Sequence, residues 1–380
     1  MRAIVTVVSV LLILGTLLDA FETVVLPRRV TRRIRFARIF YRATWIPCAA
    51  FARRISSSGR REAYLGFFGP LSLILLLVVW AVGLIFGFAA LHWSLGSPLH
   101  MLEAARASFS TYVYLSGTTF FTLGYGDVTP SGALGRALAV IEAGVGFGFL
   151  ALIIGYLPVI YQAFSRREAS ISLLDARAGS PPSAGELLRR HGQNIQELDQ
   201  LLRDWERWAA DLLESHLSYP VLCYYRSQHN NQSWLTALTA VLDASALVMV
   251  GMDGASKRQA RLTFAMARHA VVDLAQIFNT PPREPVPDRL PPDELMRLRA
   301  ALAAGGVKLT GGSAADEKLF ELRRMYEPYV SPLADFLLLP LPRWDPKTDA
   351  FDNWQTSRWG RISATIDSPA GSPSQEEDHF

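Results

Sequence analysis

The stretch Thr118-Thr119-Phe120-Phe121-Thr122-Leu123-Gly124-Tyr125-Gly126-Asp127 decides the fold of this chain. It lies between two long apolar segments, and two glycines flank a tyrosine near its end. Glycine adopts backbone angles with φ > 0 that side chains disfavour. A Thr-x-Gly-Tyr-Gly segment can therefore alternate backbone conformations, so that successive carbonyl groups all point to one side. Four copies around an axis would form stacked rings of oxygens able to replace the hydration shell of a cation.

The hexapeptide Thr122-Leu123-Gly124-Tyr125-Gly126-Asp127 resembles the selectivity filter of the potassium channel family. The family has Val at the place of Leu123, and this residue contributes its carbonyl group, so Leu should be tolerated. A bland alternative, an extracellular turn, leaves unexplained why the hexapeptide lies between a candidate pore helix and a final span. The resemblance covers about residues 67–165. It implies that the ion-binding residues are Thr122, Leu123, Gly124, Tyr125 and Gly126.

The resemblance also implies residues that support the filter. Tyr114 and Thr118 precede Thr122 by eight and four residues, at places that lie behind the filter in the family. Tyr114 could donate a hydrogen bond to Asp127 and brace the outer mouth, or it could simply pack with its hydroxyl group at the membrane interface. Thr118 is neutral, so this chain lacks an ionisable brace at that place.

Composition and apolar segments predict the fold class. The 380 residues are 50% hydrophobic and only 19% charged, which is more apolar than a typical soluble protein. We predict an all-α membrane protein whose pore module has two spans with a re-entrant pore helix and filter. The predicted protein also has one additional N-terminal span and a helical cytoplasmic domain. The predicted segments are 1–26 for the N-terminal helix, 27–66 for a basic interfacial segment, 67–165 for the pore domain, 166–366 for the cytoplasmic domain and 367–380 for a disordered tail.

Within the pore domain, we predict an outer helix over 67–93, a pore helix over 107–121 and an inner helix over 134–164. The first apolar run, residues 3–26, is long enough to cross a bilayer. Its alternative interpretation is a cleaved signal peptide, but no clear cleavage site follows it. His92 and His100 are predicted to be plain residues of the turret loop, with zinc or proton sensing as the alternative.

The basic segment predicts the topology. Between residues 27 and 62 there are eleven arginines and one acid, Glu62, and such an excess marks cytoplasmic loops. We therefore expect the N-terminus outside the cell membrane, the C-terminal domain in the cytoplasm, and the Arg28–Arg61 segment on the anionic inner leaflet. Asp19 and Glu22 would then lie within reach of Arg28 or Arg29. A voltage sensor is the alternative interpretation, because arginine recurs every third residue at positions 29, 32, 35 and 38.

Three residues of the predicted inner helix are candidates for roles in conduction. Gly146 lies where the family resemblance places a gating hinge, although glycine there could equally permit close helix packing. Pro158 removes a helix hydrogen bond and should kink or loosen the inner end. Glu142 is an acid inside a span and is a functional candidate by default. We expect it to contact Ser116 or Thr119 on the pore helix, and the alternative is that it faces the cavity.

The sequence of the C-terminal half predicts helices but indicates no gating stimulus. Residues 232–252 are apolar enough for a fourth span, yet Asp243 interrupts them and favours a buried helix of a water-soluble domain. His269 and Asp273 are too few ligands for a metal site. Cys48 and Cys223 indicate buried thiols in a reducing compartment rather than a disulfide. Residues 219–225 read as a hydrophobic connector without chemistry.

The sequence therefore predicts a homotetrameric potassium-selective channel, with the cytoplasmic domain as its candidate gate, and not an enzyme. It predicts no cofactor, K⁺ as the permeant ion, and no nucleic-acid partner. One alternative is a weakly selective cation channel. The other is a membrane-anchored binding or signalling module whose cytoplasmic domain does the work. The gating stimulus, the ligand and the physiological role are not encoded in any motif that we recognise.

Overall fold

The computed structural model describes residues 1–26, 35–101, 107–229, 231–252 and 257–344. They form two compact units. Unit 1 comprises Met1–Pro47 and Pro70–Gln162, and unit 2 comprises Cys48–Gly69 and Ala163–Phe380. The predicted tail 367–380, Arg28, Arg29 and Arg32 lie outside the described residues.

The described chain is helical, with two short strands. Its elements are α1 (Arg2–Val24), α2 (Phe36–Ala52), α3 (Ser58–Gly66), α4 (Phe68–Ser94), β1 (Leu99–Met101), α5 (Phe109–Phe120), β2 (Val128–Pro130), α6 (Ala133–Ala178), α7 (Ala184–His191), α8 (Ile195–Ser218), a 3-10 helix (Pro220–Tyr224), α9 (Trp234–Gly251), α10 (Lys257–Phe278), α11 (Pro292–Ala304), α12 (Ser313–Arg324) and α13 (Glu327–Leu337).

Four helical stretches in the described residues are long and apolar enough to cross a membrane: Arg2–Val24, Ser58–Ser94, Ala133–Ala178 and Trp234–Gly251. The first three overlap the predicted spans 1–26, 67–93 and 134–164, and α1 ends two residues before the predicted end of the first. Helix α6 continues to Ala178, past the predicted end at residue 164, and it includes Pro158 without interruption. The prediction that the inner helix ends at residue 164 was wrong, because the end of an apolar run marks the end of a span and not the end of a helix.

The core of unit 1 is built on α4. Trp80 packs edge-on against Phe149 of α6, with ring centroids 6.5 Å apart. Phe120 at the end of α5 joins the same apolar cluster. The indole Nε1 of Trp80 donates to the buried carboxylate of Asp19 at 3.0 Å, and the same carboxylate accepts from the backbone N–H of Ala37 at the start of α2. Asp19 therefore satisfies a helix N-terminus, where N–H groups lack intrahelical partners.

A small antiparallel ribbon lies beside the quoted stretch. Strand β1 pairs with β2, with His100 opposite Thr129. Because β2 begins directly after Asp127, the ribbon fixes the chain where it leaves the predicted filter. Strands of three residues are too short for alternation to be visible in the sequence, so the all-α prediction did not include them.

Helix α9 forms the centre of unit 2. It packs against α7, α8, α10, α12 and α13, and most of its side chains are buried. Asp243 within it is fully buried, accepts from Arg289 Nη2 at 2.7 Å and accepts a hydrogen bond from the hydroxyl of Tyr326. A buried carboxylate needs such partners. This protein environment is what the interpretation of 232–252 as a buried helix, rather than a fourth span, predicts.

Two stretches whose apolar residues recur at helical spacing are each divided between two helices. Residues 187–208 are divided between α7 and α8, which break around Gly192. Residues 315–336 are divided between α12, which ends at Arg324, and α13, which begins at Glu327. Pro328 stands in the first turn of α13, where its missing N–H costs no hydrogen bond, so it favours a new helix start there.

Candidate functional site

The backbone of the quoted stretch alternates in conformation. Thr122, Gly124 and Gly126 have φ angles of 56°, 57° and 80°, whereas Leu123 and Tyr125 are not among the residues with positive φ. Left-handed angles at every second residue are the alternation that we expected for a segment whose successive carbonyl groups point to one side. Thr122 is β-branched and disfavours this region, so its conformation is strained. Strain of this kind concentrates at functional sites.

Helix α5 positions this segment. It ends at Phe120, and the backbone N–H groups of Thr122 and Leu123 donate to the carbonyls of Thr119 and Thr118 at 3.0 and 2.8 Å. The negative end of the helix dipole therefore adjoins the segment and favours a cation. The hydroxyl of Thr118 donates to Leu115 O at 3.0 Å, so its side chain is engaged with its own helix. Thr118 contacts the filter through its carbonyl oxygen rather than its hydroxyl group.

Of the two alternatives left open for Tyr114, the structure contains the hydrogen bond to Asp127. The hydroxyl of Tyr114 donates to Asp127 Oδ2 at 2.8 Å. Tyr114 lies on α5 and Asp127 directly precedes β2, so the bond ties the two ends of the segment together. The side chains of Leu123 and Tyr125 are 53% and 68% exposed in the single chain. These two side chains therefore have few contacts within the described chain.

Gly146 lies directly against the end of the pore helix. A Cβ atom added there would come within 2.1 Å of the carbonyl oxygen of Phe120. Such an approach is impossible for any other residue without displacing α5 or α6, so close packing alone requires glycine here. The hinge role of Gly146 stays a prediction. The contact also means that Gly146→Ala would perturb packing as well as bending. Pro158 lies further along α6, away from these contacts.

Glu142 contacts the pore helix, as the residue pattern led us to expect. It is fully buried, and its Oε1 atom is in hydrogen-bond contact with the hydroxyl group of Ser116 on α5. His92 lies on its other side, with Nε2 3.9 Å from Glu142 Oε2. The turret prediction for His92 was wrong, because the residue is in the last turn of α4 and fully buried. His100 is exposed on β1.

Among the described residues, no group of three or more His, Cys, Asp or Glu side chains could hold a metal ion. His269 and Asp273 are paired at 3.5 Å on one face of α10. They remain two residues, which is too few for a typical site.

A second group of functional interest lies in unit 2, where Arg167 of α6, three turns before the end of that helix at Ala178, is buried. Its Nη1 donates to Leu222 O at 2.8 Å, its Nη2 donates to Tyr225 O at 2.9 Å, and its Nε donates to Glu168 Oε1 at 2.9 Å. His216 Nε2 lies 3.2 Å from Nη1. The segment interpreted as a connector without chemistry, residues 219–225, therefore accepts hydrogen bonds from Arg167 on α6. The sequence alone marks Arg167 only as a basic residue that follows an apolar run.

The next residue extends this link to α3. Arg226 lies 3.5 Å from Glu62, and its guanidinium also donates to the carbonyls of Leu337 and Leu338. We call Pro220–Arg226 the connector. Within unit 2, it contacts Arg167 of α6, Glu62 of α3 and the end of α13.

These features match a known kind of domain. Residues 74–162, which contain the filter segment, all of α5 and most of α4, match the family model described as "Ion channel". This stretch is an ion-channel domain. Its match and the apolar helices identify a membrane protein.

Curated relatives extend the comparison. The uncharacterized membrane protein YdjJ of Bacillus subtilis (strain 168) is 28% identical over 196 residues, which are 50% of this chain and 56% of that protein. Protein LctB of Bacillus caldotenax is 36% identical over 87 residues, and protein LctB of Geobacillus stearothermophilus is 35% identical over 94 residues. Each of these alignments covers 20% of this chain and 64% of the LctB protein. The chain thus spans 56–64% of the length of these relatives. No solved structure matches the chain.

Proposed function

We propose that this ion channel is potassium-selective and conducts K⁺ passively through a homotetrameric pore. The observation that carries the proposal is the left-handed backbone at Thr122, Gly124 and Gly126, directly after the pore helix. Such alternation lets a ring of carbonyl oxygens from each residue replace the hydration shell of K⁺. Ions then pass between adjacent sites without chemical change, so no cofactor or bond-breaking step is needed.

The single chain also supports self-assembly. One filter segment per chain closes a ring only with further copies, and closed symmetry is the common form of oligomers. Helix α6 exposes Val140, Phe147, Ile154 and Tyr161, each at about 70%. These residues recur every seven positions, so they form one apolar stripe along the helix. In a tetramer, this stripe would either pack against the α6 of another copy or line the pore lumen.

The charges support one orientation in the cell membrane. Arg38, Arg42, Arg53, Arg54 and Arg60 are exposed on and after α2. The exposed apolar side chains of Phe36, Ile39, Ile46 and Phe51 accompany them on the same helix. A helix of this composition suits the surface of the anionic inner leaflet. We therefore place the N-terminus outside and unit 2 in the cytoplasm.

We further propose that unit 2 gates the pore. Helix α6 runs without a break from the ion-channel domain to Ala178, and Arg167 on it is held by the connector in unit 2. A rearrangement of unit 2 that moves the connector would therefore bend or rotate the pore-lining helix. The connector also holds Glu62 of α3 through Arg226, so the same rearrangement would act on the helix preceding α4.

Flux through purified protein tests the conduction part of this proposal. We expect liposomes that contain the protein and a K⁺ gradient to show K⁺ efflux above that of protein-free liposomes. Matched liposomes with Gly126→Ala protein, prepared in the same way, control for leak caused by insertion alone. A membrane-anchored binding module would pass no ions, so equal efflux from all three preparations would contradict the proposal.

A further inference from the structure

A series of neighbouring buried polar groups connects the three helices α4, α5 and α6 that surround the filter segment. Ser97 follows α4, His92 is on α4, Glu142 is on α6 and Ser116 is on α5, and all four are buried. His92 Nδ1 lies 3.2 Å from Ser97 Oγ, and His92 Nε2 lies 3.9 Å from Glu142 Oε2. Glu142 Oε1 contacts Ser116 Oγ, and Ser116 Oγ lies 2.7 Å from the carbonyl oxygen of Ile85. Buried polar groups that are this closely connected fix the relative positions of the elements that carry them.

The number of protons available for the hydrogen bonds around Ser116 decides whether Glu142 is protonated or ionised. A serine hydroxyl has one proton to donate, whereas a carbonyl oxygen and an ionised carboxylate only accept. Ser116 is close to both Ile85 O and Glu142 Oε1. If Glu142 were ionised, one of these two oxygen–oxygen contacts would lack a proton. If Glu142 is protonated, its hydroxyl donates to Ser116, and Ser116 donates to Ile85, so both contacts are hydrogen bonds.

The surroundings of the carboxyl group favour the same state. Among the described residues, His92 is the one basic side chain within 4 Å of it, and that contact is longer than a hydrogen bond. Isolated charge in a dry interior is costly, so a buried carboxyl group without a charged partner prefers its neutral form. Both His92 Nε2 and Glu142 Oε2 lack a hydrogen-bond partner in the described structure. When the imidazole of His92 and the carboxyl group of Glu142 are both neutral, a proton on His92 Nε2 can point favourably towards Glu142 Oε2.

We propose that Glu142 acts as a neutral hydrogen-bond donor to Ser116, and that His92 orients its carboxyl group from α4, so that both are positioning residues for the filter. Their effect passes through α5. Ser116 is one turn before the end of that helix. The first residues of the filter segment donate backbone hydrogen bonds to the carbonyl groups of Thr118 and Thr119. Loss of the donor would free the pore helix to tilt and would disturb the spacing of the carbonyl rings. This inference rests on the proposed potassium selectivity.

The test compares two substitutions of similar size at position 142. The amide group of Glu142→Gln donates to Ser116 without a charge, whereas Glu142→Met cannot donate. We expect Glu142→Gln to retain the K⁺ over Na⁺ permeability ratio of the unmodified channel in planar bilayers. We expect Glu142→Met to lower this ratio about tenfold, the size expected for one buried hydrogen bond. If both variants lose selectivity, a charged carboxylate is required; if both retain it, the contact has no positioning role. Either result overturns the inference.

Further variants keep the test decisive if Glu142→Met does not assemble. Ser116→Ala removes the partner hydroxyl and should lower the ratio, whereas Ser116→Thr should retain it. Ser110→Ala is the matched control, because Ser110 is exposed at the other end of α5. His92→Gln should behave like the unmodified channel, and His92→Leu should lower the ratio. The K⁺ over Na⁺ permeability ratio of the unmodified channel is measured in the same bilayers. If the unmodified channel is not selective, the proposed function fails; if it is selective but the variants do not differ as expected, this inference alone fails. Equal ratios for Ser116→Ala and Ser110→Ala would also contradict the inference.

Discussion

Gly124→Ala and Gly126→Ala should each reduce K⁺ flux to the level of protein-free liposomes. Both glycines have φ angles in the left-handed region, at 57° and 80°. An alanine there costs about 1–2 kcal/mol in each chain, and a tetramer would carry that cost four times. The segment would relieve the strain by turning a carbonyl group away from the ion path. One ring of oxygens would then be missing, and the ion would have to cross that site without ligands.

Gly15→Ala is the matched control for these variants. Gly15 lies in α1, no atom lies within 4 Å of the place that a Cβ atom would take there, and its φ is not positive. Its substitution should leave both assembly and flux unchanged. Assembly of the filter variants is measured by size-exclusion chromatography in detergent, so that loss of flux is not confused with loss of protein. An assembled Gly126→Ala channel with normal flux would show that the alternating backbone is not the conduction path.

Arg167→Met should disconnect α6 from the connector and change the open probability of the channel. The guanidinium donates to two backbone carbonyls of the connector and to Glu168. Breaking a buried charge pair of this type typically costs about 3–5 kcal/mol. We therefore expect faster hydrogen exchange over residues 220–226 and a single-channel open probability that differs from wild type. Unitary conductance should be unchanged, because Arg167 lies far along α6 from the filter segment.

Arg166→Met is the control, since Arg166 is the adjacent residue with the same charge but an exposed side chain. It should leave exchange over the connector as in the unmodified protein. The proposal that unit 2 gates the pore would be wrong if Arg167→Met loosened the connector but left the open probability unchanged.

His216 makes the same link sensitive to acid. Burial and the neighbouring Arg167 hold the pKa of His216 well below its usual value. In the folded protein His216 is therefore neutral at pH 7, with Nε2 free to accept from Arg167. The unfolded chain binds a proton at a higher pH than the folded chain, so the free energy of unfolding falls as the pH drops below the ordinary histidine pKa of about 6.5. This stabilising contribution is fully present above that pH, and chemical denaturation at a series of pH values measures it.

The ion-channel domain and the candidate spans could be predicted because their signals are local. A few consecutive residues specify the alternating backbone, and the length of an apolar run alone indicates a span. The contact of Tyr114 with Asp127 was one of two alternatives that followed from the family resemblance, and the contact of Glu142 with Ser116 was expected once the pore helix was placed against the inner span. In each case, the partners lie on elements whose positions the motif already fixed.

Other features depend on packing that the sequence does not display. His92 lies one turn before a loop, and hydropathy cannot tell the last turn of a helix from the start of a turret. Arg167 looks like an ordinary basic flank, because only the fold of unit 2 shows that the connector buries it. Gly146 was ambiguous between hinge and packing until the carbonyl group of Phe120 was seen to occupy the place of a side chain.

The reversal potential of the reconstituted channel, with K⁺ on one side of a planar bilayer and Na⁺ on the other, tests the central claim most directly. The carbonyl rings formed by Thr122, Leu123, Gly124 and Tyr125 should favour the ion whose hydration shell they replace. We predict a reversal potential close to that of a membrane permeable to K⁺ alone, with little change when Na⁺ is replaced by a large impermeant cation. A reversal potential near zero would mean that Na⁺ passes as readily as K⁺, and it would contradict the account.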